Sequence, residues 1–189
     1  MITQLLQTKL CPPILRRETI SRRRLLERLN AGLRQADGFT RRLTLVSAPA
    51  GCGKTTLVGE WAQGLSQVTE SGLTLRTAWL SLDEADNDPL RFMAYVIAAV
   101  EQFSEQVGRT LAPLLASPQP PPEEILMTVF LNQVAVAAVP ILLVLDDYHV
   151  IHTPLIHQRL AYTLDHQPAN LHLVIITREA PLLPVSRLR

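Results

Sequence analysis

Residues 43–57 read LTLVSAPAGCGKTTL. The run opens with short, apolar, β-favouring residues (Leu43, Leu45, Val46) and passes through small residues from Ser47 to Gly53. Lys54-Thr55-Thr56 then begins a stretch with helical spacing of apolar positions. A strand, a tight anion-binding loop and a helix are predicted in direct succession. Gly51 and Gly53 let the backbone wrap and aim several N–H groups inward, and the N-terminus of the following helix adds its dipole. Such a loop places the Lys54 ammonium near the β- and γ-phosphates of a nucleotide and the Thr55 hydroxyl on Mg²⁺. The pattern G-x-x-x-x-G-K-[ST] is met except at its first position, where Ala48 stands and is small enough to leave the turn intact. Ala48, Gly51, Cys52, Gly53, Lys54, Thr55 and Thr56 are therefore the predicted loop contacts to the nucleotide, with Mg²⁺ as its companion ion.

Outward from the loop, strands and helices alternate. The helix behind Lys54 carries Leu57, Val58, Trp61, Ala62 and Leu65, with Trp61 read as core packing. Residues Arg76 to Leu82 predict a second strand with Trp79 at its middle. It ends in an acidic turn, Asp83-Glu84-Ala85-Asp86-Asn87-Asp88-Pro89, in which Asp88 caps and Pro89 begins a helix through about Phe103. The carboxylates lack the central Gly and terminal Glu of a Ca²⁺ loop, so they read as an exposed turn and helix cap. Ser117 to Pro122 is a stiff connector, followed by a helix from Glu123 to about Ala138. Ile141 to Leu145 is continuously apolar, as expected of a strand buried on both faces of a parallel sheet, and it ends in Asp146-Asp147. A helix from Pro154 to about His166 and a strand from Leu171 to Ile176, ending in Thr177-Arg178, complete the pattern. Upstream, residues 1–20 read as an irregular lead-in. Ser21 is expected to cap a helix to about Ala36 with Leu25, Leu26, Leu29 and Leu33 on one face, stopped by Asp37-Gly38. The expected organisation is a basic lead-in and helix (1–42) packed on a nucleotide-binding core (43–189).

Composition limits the alternatives. A chain of 189 residues, 47% hydrophobic and 19% charged, suits one α/β domain with a substantial core and argues against disorder. No run approaches the roughly 18 apolar residues of a membrane span, and the longest, Val134 to Leu145, contains Pro140. The N-terminus has no signal-peptide core, so a cytoplasmic protein with no membrane partner is expected. Cys11 and Cys52 set no disulfide framework, and Cys52 reads as a small loop side chain. The net charge of +1 hides an asymmetry: residues 1–42 hold ten Lys or Arg against three acids, and the rest hold eight against fourteen. No aromatic residue interleaves with the arginines before Phe39, so the basic segment reads as a solvated helix face or an intrachain partner rather than a nucleic-acid surface.

Alternating strands and helices imply right-handed parallel crossovers, which bring the carboxyl ends of the strands to one edge. Lys54, Thr55, Asp146, Asp147 and Arg178 meet there. Asp146 is suited to hold Mg²⁺ opposite Thr55, Asp147 to orient an attacking water, and Arg178 to sense the γ-phosphate. Lys54, Asp147 and Arg178 are the candidate catalytic residues; Thr55 and Asp146 are the candidate metal ligands. His149 and His152 lack further close ligands and read as polar loop residues rather than zinc ligands.

Six segments together resemble a known family: TKLCPP (8–13), ISRRRLLERL (20–29), SAPAGCGKTTL (47–57), AWLSLDEADNDPLRF (78–92), LVLDDYHVI (143–151) and LVIITR (173–178). In this order they are similar to the N-terminal ATPase module of large LuxR-type transcriptional regulators, members of the STAND class of P-loop ATPases. The resemblance implies an ASCE-type P-loop NTPase fold, an α/β sheet of strand order 1-4-3-2. It also implies adenine near Ile20 to Arg23, and Arg178 as the sensor arginine. It further implies ATP and ADP as ligands, and a switch from resting monomer to self-associated DNA-binding activator that answers an inducer and is reset by slow hydrolysis. The inducer and DNA would be met by a helical lid, winged helix, repeat-built sensor and helix-turn-helix beyond Arg189, so the chain is expected to be a truncated piece of such a regulator. A stand-alone P-loop ATPase or phosphotransferase acting on a small substrate, and an interaction domain without nucleotide, are the alternatives.

Overall fold

A computed structural model describes residues 5–15, 18, 20–31, 33–35, 38–66, 75–137 and 139–183. Its centre is a parallel sheet of β1 (Leu43–Ser47), β2 (Arg76–Ser81), β3 (Ile141–Asp146) and β4 (Leu171–Thr177), in the spatial order β1-β4-β3-β2. The expected order, with the last strand between the first and third, is therefore observed. The register aligns Ser47 with Thr177 and Ser81 with Asp146, so the strands end together along one edge.

The helices are α1 (Arg23–Asn30), α2 (Lys54–Ser66), α3 (Pro89–Glu101), α4 (Glu105–Leu115), α5 (Glu123–Ala135) and α6 (Pro154–His166). Side chains alternate across the strands, and the two faces build two cores. Leu142, Val144, Val174, Ile176 and Trp79 join Val58 and Trp61 of α2 on one face. Leu143, Leu145, Leu173 and Ile175 join Phe92, Val96, Leu126, Phe130, Ile156 and Leu160 of α3, α5 and α6 on the other. Every residue of β3 and β4 is buried, which is why both strands read as unbroken apolar runs. β1 stands at an edge of the sheet and is only partly covered, with Leu45 37% exposed. Trp61 is buried as expected, its indole N–H donating to Asn30 Oδ1 at 2.7 Å. Among the described residues no helix is long and apolar enough to cross a membrane.

Four expectations need correction. The first helix does not run from Ser21 toward Ala36: its N-cap is Arg22, no side chain caps it, and it ends at Asn30. Leu33 is buried, but it precedes a two-residue ribbon in which Arg34–Gln35 pairs antiparallel with Gly38–Phe39. Main-chain bonds from Phe39 N to Ala169 O and from Thr40 N to Leu33 O hold that ribbon, so tertiary pairing overrides the helical spacing of the leucines. Second, the helix expected to reach Phe103 stops at Glu101, and α4 follows; Gly108 and Pro113 within it argue against a helix locally, but Val107 and Leu111 are wholly buried. Third, the lead-in is not irregular throughout. It forms a 3-10 turn, Gln7–Leu10, whose Lys9 and Leu10 are buried.

Fourth, the acidic turn is not simply exposed. Asp83 and Asp88 act as caps, Asp88 Oδ1 accepting from Arg91 N at 2.7 Å. Asp86, by contrast, has no exposed surface and is ion-paired to Lys9 and, at 3.2 Å, to Arg91 Nε. A buried carboxylate needs such partners, and one of them comes from the far end of the chain, which no local pattern announces. Ala36, Asp37, Ala138 and Arg189, named above, lie outside the described residues.

Candidate nucleotide site

β1 delivers the chain to the loop, and the loop's shape follows from two glycines. Gly51 (φ 77°) and Gly53 (φ 70°) both occupy the left-handed region, which an L side chain enters only at a cost. Among the described residues no group accepts the main-chain N–H of Gly51, Cys52 or Gly53. Alternating hand with free donors is the geometry of an anion cradle. The loop is moored to the sheet by Ala48 N, which donates to Thr177 O at 3.4 Å. Lys54 opens α2 and folds back over the loop, Nζ donating to Ala48 O at 2.7 Å and Pro49 O at 3.0 Å. Thr56 follows two residues later in the first turn of α2 and lines a cavity of about 410 Å³ with Glu18, Ile20, Arg22, Gly53, Leu57 and Glu60.

Thr55 Oγ1 donates to Asp146 Oδ1 at 3.1 Å, and the same oxygen accepts Asp147 N at 2.9 Å. Asp146 is 4% exposed. Burial, and then the neighbouring Asp147 charge, raise its pKa to about 6, against the stabilising pull of Thr55, the Asp147 N–H and Lys54. A hydroxyl and a carboxylate this close, with the carboxylate short of compensating charge, form a donor set for a hard divalent cation.

Asp147 adopts φ 57° and ψ 35° and is the single non-glycine residue with positive φ among those described. The 3-10 turn Tyr148–Val150 follows, closed by Val150 N on Asp147 O at 3.1 Å. Tyr148 anchors it: its hydroxyl lies 2.5 Å from His157 Nδ1 on α6. Burial pushes the tyrosine pKa up and the histidine pKa down, so the proton stays on the phenol. His149 Nδ1 is 3.7 Å from Asp147 Oδ1, too long for a hydrogen bond, and among the described residues no group of three His, Cys, Asp or Glu could hold a metal.

The remaining candidates sit farther out. Arg178, directly after β4, is exposed and has no partner among the described residues. Cys52 is an exposed free thiol. Ile20 is 87% exposed, and Arg23 is exposed at the start of α1. The residue from that segment that reaches the loop is Arg22: its Nη1 donates to Cys52 O at 2.8 Å, and its guanidinium lies against Gly53. Three consecutive arginines gave no means of telling which one faces the loop; the docking of α1 decides it. Arg22 also bounds a second cavity of about 500 Å³, shared with Arg28, Arg41, Ala48, Cys52 and Lys54.

A strand, a glycine loop and a helix bearing Lys54 and Thr55, with an acid at the end of the strand next but one, define a P-loop nucleotide-binding domain. A family model described as an AAA ATPase domain matches residues 18–176. The chain belongs to the AAA ATPase domain family. It is 36% identical over 185 residues to the HTH-type transcriptional regulator MalT of Cronobacter sakazakii and 35% identical to that of Klebsiella pneumoniae subsp. pneumoniae. Each match covers 98% of this chain and 19% of the relative, so the chain spans about a fifth of these curated proteins. Among solved structures it shares its fold with Cdc6p from Pyrobaculum aerophilum (TM-score 0.56, 14% identity, 93% of this chain and 43% of that one). It likewise shares it with a chain of the Drosophila ORC bound to DNA (TM-score 0.54, 19% identity, 93% and 42%).

Proposed function

We propose that this domain is the ATP-binding switch module of a LuxR-type transcriptional regulator and hydrolyses ATP slowly in the presence of Mg²⁺. The observation that carries the reading is the meeting of Thr55 and Asp146 at 3.1 Å beside a loop with free N–H donors. ATP supplies the phosphoanhydride, and Mg²⁺ supplies charge neutralisation at its phosphates. The N–H groups of Gly51 to Thr56 would donate to phosphate oxygens, and Lys54 would exchange the Ala48 and Pro49 carbonyls for a phosphate. Thr55 and Asp146 would hold the metal. Asp147 would orient the attacking water, and Arg178, without a partner among the described residues, would report the γ-phosphate. Ile20, Arg22 and Arg23 border the base, with Arg22 tying that segment to the loop.

The similarity to MalT supports the regulatory role. In a longer protein, an inducer and DNA would be met by other domains, and the nucleotide state would control self-association. The test is calorimetric titration with ATP and ADP, with and without Mg²⁺, on the wild type and Lys54→Ala. Binding that depends on Lys54 is expected, with Mg²⁺ strengthening ATP more than ADP. A folded protein that binds neither nucleotide would refute the proposal.

A further inference from the structure

Asn87 closes the acidic turn after β2, and the segment following Asp147 uses every polar atom of its side chain. Nδ2 donates to Val150 O at 2.8 Å and to Glu84 O at 3.2 Å. Oδ1 accepts the main-chain N–H groups of His152 at 2.7 Å and Thr153 at 3.1 Å, and the Thr153 hydroxyl lies 3.2 Å from it. That hydroxyl also donates to the Asn87 carbonyl at 2.7 Å. Two carbonyls on the nitrogen side and two N–H groups on the oxygen side fix the orientation of the amide. A carboxylate in its place would set an oxygen against two carbonyls with no proton between them. The lone amide among the carboxylates of this turn is therefore not interchangeable with them.

The held segment begins at a strained residue. A non-glycine residue in the left-handed region persists where its surroundings over-determine it, and Asp147 is gripped on both sides. Before it, Leu82 N donates to Asp146 O at 3.0 Å. After it, the 3-10 turn ends at Val150, whose carbonyl goes to Asn87, and the next amides at 152 and 153 go there too. Both grips come from the same connection between β2 and α3, which the buried Asp86, paired with Lys9 and Arg91, makes rigid.

We propose that Asn87 is the positioning residue for Asp147: by binding residues 150–153 it holds Asp147 in its left-handed conformation and so fixes its carboxylate at the phosphate site. This rests on the reading of Asp147 as the residue that orients water, and it gives the acidic turn a role in that step.

The test compares Asn87→Ala and Asn87→Asp, each alone and combined with Asp147→Asn, in the full chain. Mg-ATP affinity is expected to stay within about threefold of wild type while single-turnover hydrolysis falls at least about tenfold. In Asn87→Ala, which removes the acceptor of amides 152 and 153, both should exchange faster while those of β3 and β4 keep their protection. In the Asp147→Asn background the further loss of hydrolysis should vanish. An equal loss in both backgrounds, or unchanged exchange at 152 and 153 in Asn87→Ala, overturns the proposal. Asn87→Asp retains the size of the side chain and answers the question if Asn87→Ala fails to fold. A wild type that binds Mg-ATP without hydrolysing it would defeat the hydrolytic reading of Asp147 separately. The HN–Hα coupling of Asp147 then decides for Asn87: a change in the variants supports the positioning role, and an unchanged value overturns it.

Discussion

The hydroxyl of Thr55 and the carboxylate of Asp146, 91 residues apart in the chain, lie 3.1 Å from each other where the first turn of α2 meets the end of β3. Burial and the neighbouring Asp147 charge raise the Asp146 pKa to about 6 against the pull of that hydroxyl and the Asp147 N–H, so above pH 6 its ionised form carries an electrostatic cost. A cation beside it would relieve that cost.

Replacing that carboxylate separates stability from ligand binding. Asp146→Asn keeps the size and acceptor of the side chain and removes the buried charge. Without nucleotide, the variant should be more stable than wild type at pH 7–8 by about 1–2 kcal/mol in chemical denaturation. Its ATP affinity should no longer respond to Mg²⁺. A variant less stable than wild type at pH 8 would contradict the charge argument.

Two of the groups that shape the pH dependence of stability oppose each other. His172 is fully buried, and its pKa is lowered to about 4, mainly by burial. It is neutral, with Nδ1 donating to Arg41 O at 2.6 Å and Nε2 accepting from Thr44 at 2.8 Å. Between pH 4 and 6.5 the unfolded chain binds a proton at His172 that the folded chain refuses, so this group makes stability fall as pH falls. Asp146 does the reverse: between its ordinary 3.8 and about 6 the folded state holds the extra proton, so stability falls as pH rises. The two slopes offset each other in wild type between pH 4 and 6. Asp146→Asn should unmask the histidine and give stability that rises steadily from pH 4 to 6.5; an unchanged profile would show that one of these groups is not held as described.

Lys54→Ala removes two bonds to partly exposed loop carbonyls and a prospective phosphate contact. Stability should change by less than about 1 kcal/mol, while nucleotide affinity falls by about two orders of magnitude. Isothermal titration checks the second figure and denaturation the first.

Arg22→Ala should weaken nucleotide binding more than Arg23→Ala, by about three- to tenfold, because only Arg22 touches the loop. Equal affinities in the two variants would return the assignment to the segment as a whole.

At the buried ion pair, the two partners are unequal. Asp86→Ala removes at once a partner of Lys9, of Arg91 and of the Asp83 main-chain N–H, leaving the nearly enclosed Lys9 with the more exposed Asp83 carboxylate at 3.0 Å, whereas Lys9→Ala leaves Asp86 with Arg91 and that N–H. Asp86→Ala should therefore cost about 3–5 kcal/mol and Lys9→Ala clearly less, measured by urea unfolding. A reversed order would mean that Arg91 does not compensate Asp86.

Local sequence was enough to place the sheet and the residues that stand at its carboxyl edge. Unbroken apolar runs at 141–145 and 171–176 leave no option but buried strands, and Gly51, Gly53, Lys54 and Thr55 carry their consequence within a few residues of backbone. The acids at 146 and 147 were legible because they end such a strand, and parallel crossovers send all strand ends to one edge. The tertiary structure alone decided which arginine of 22–24 reaches the loop, that Leu33 is buried beyond the end of a helix, that Asp86 is enclosed, and that Asn87 grips the segment after Asp147. Each of these depends on partners distant in the chain: Lys9 lies 77 residues from Asp86, and Thr153 lies 66 from Asn87. Periodicity and motif report what a residue's neighbours in sequence impose; a buried charge or a saturated amide is defined by neighbours in space, and these exist only once the helices have docked on the sheet.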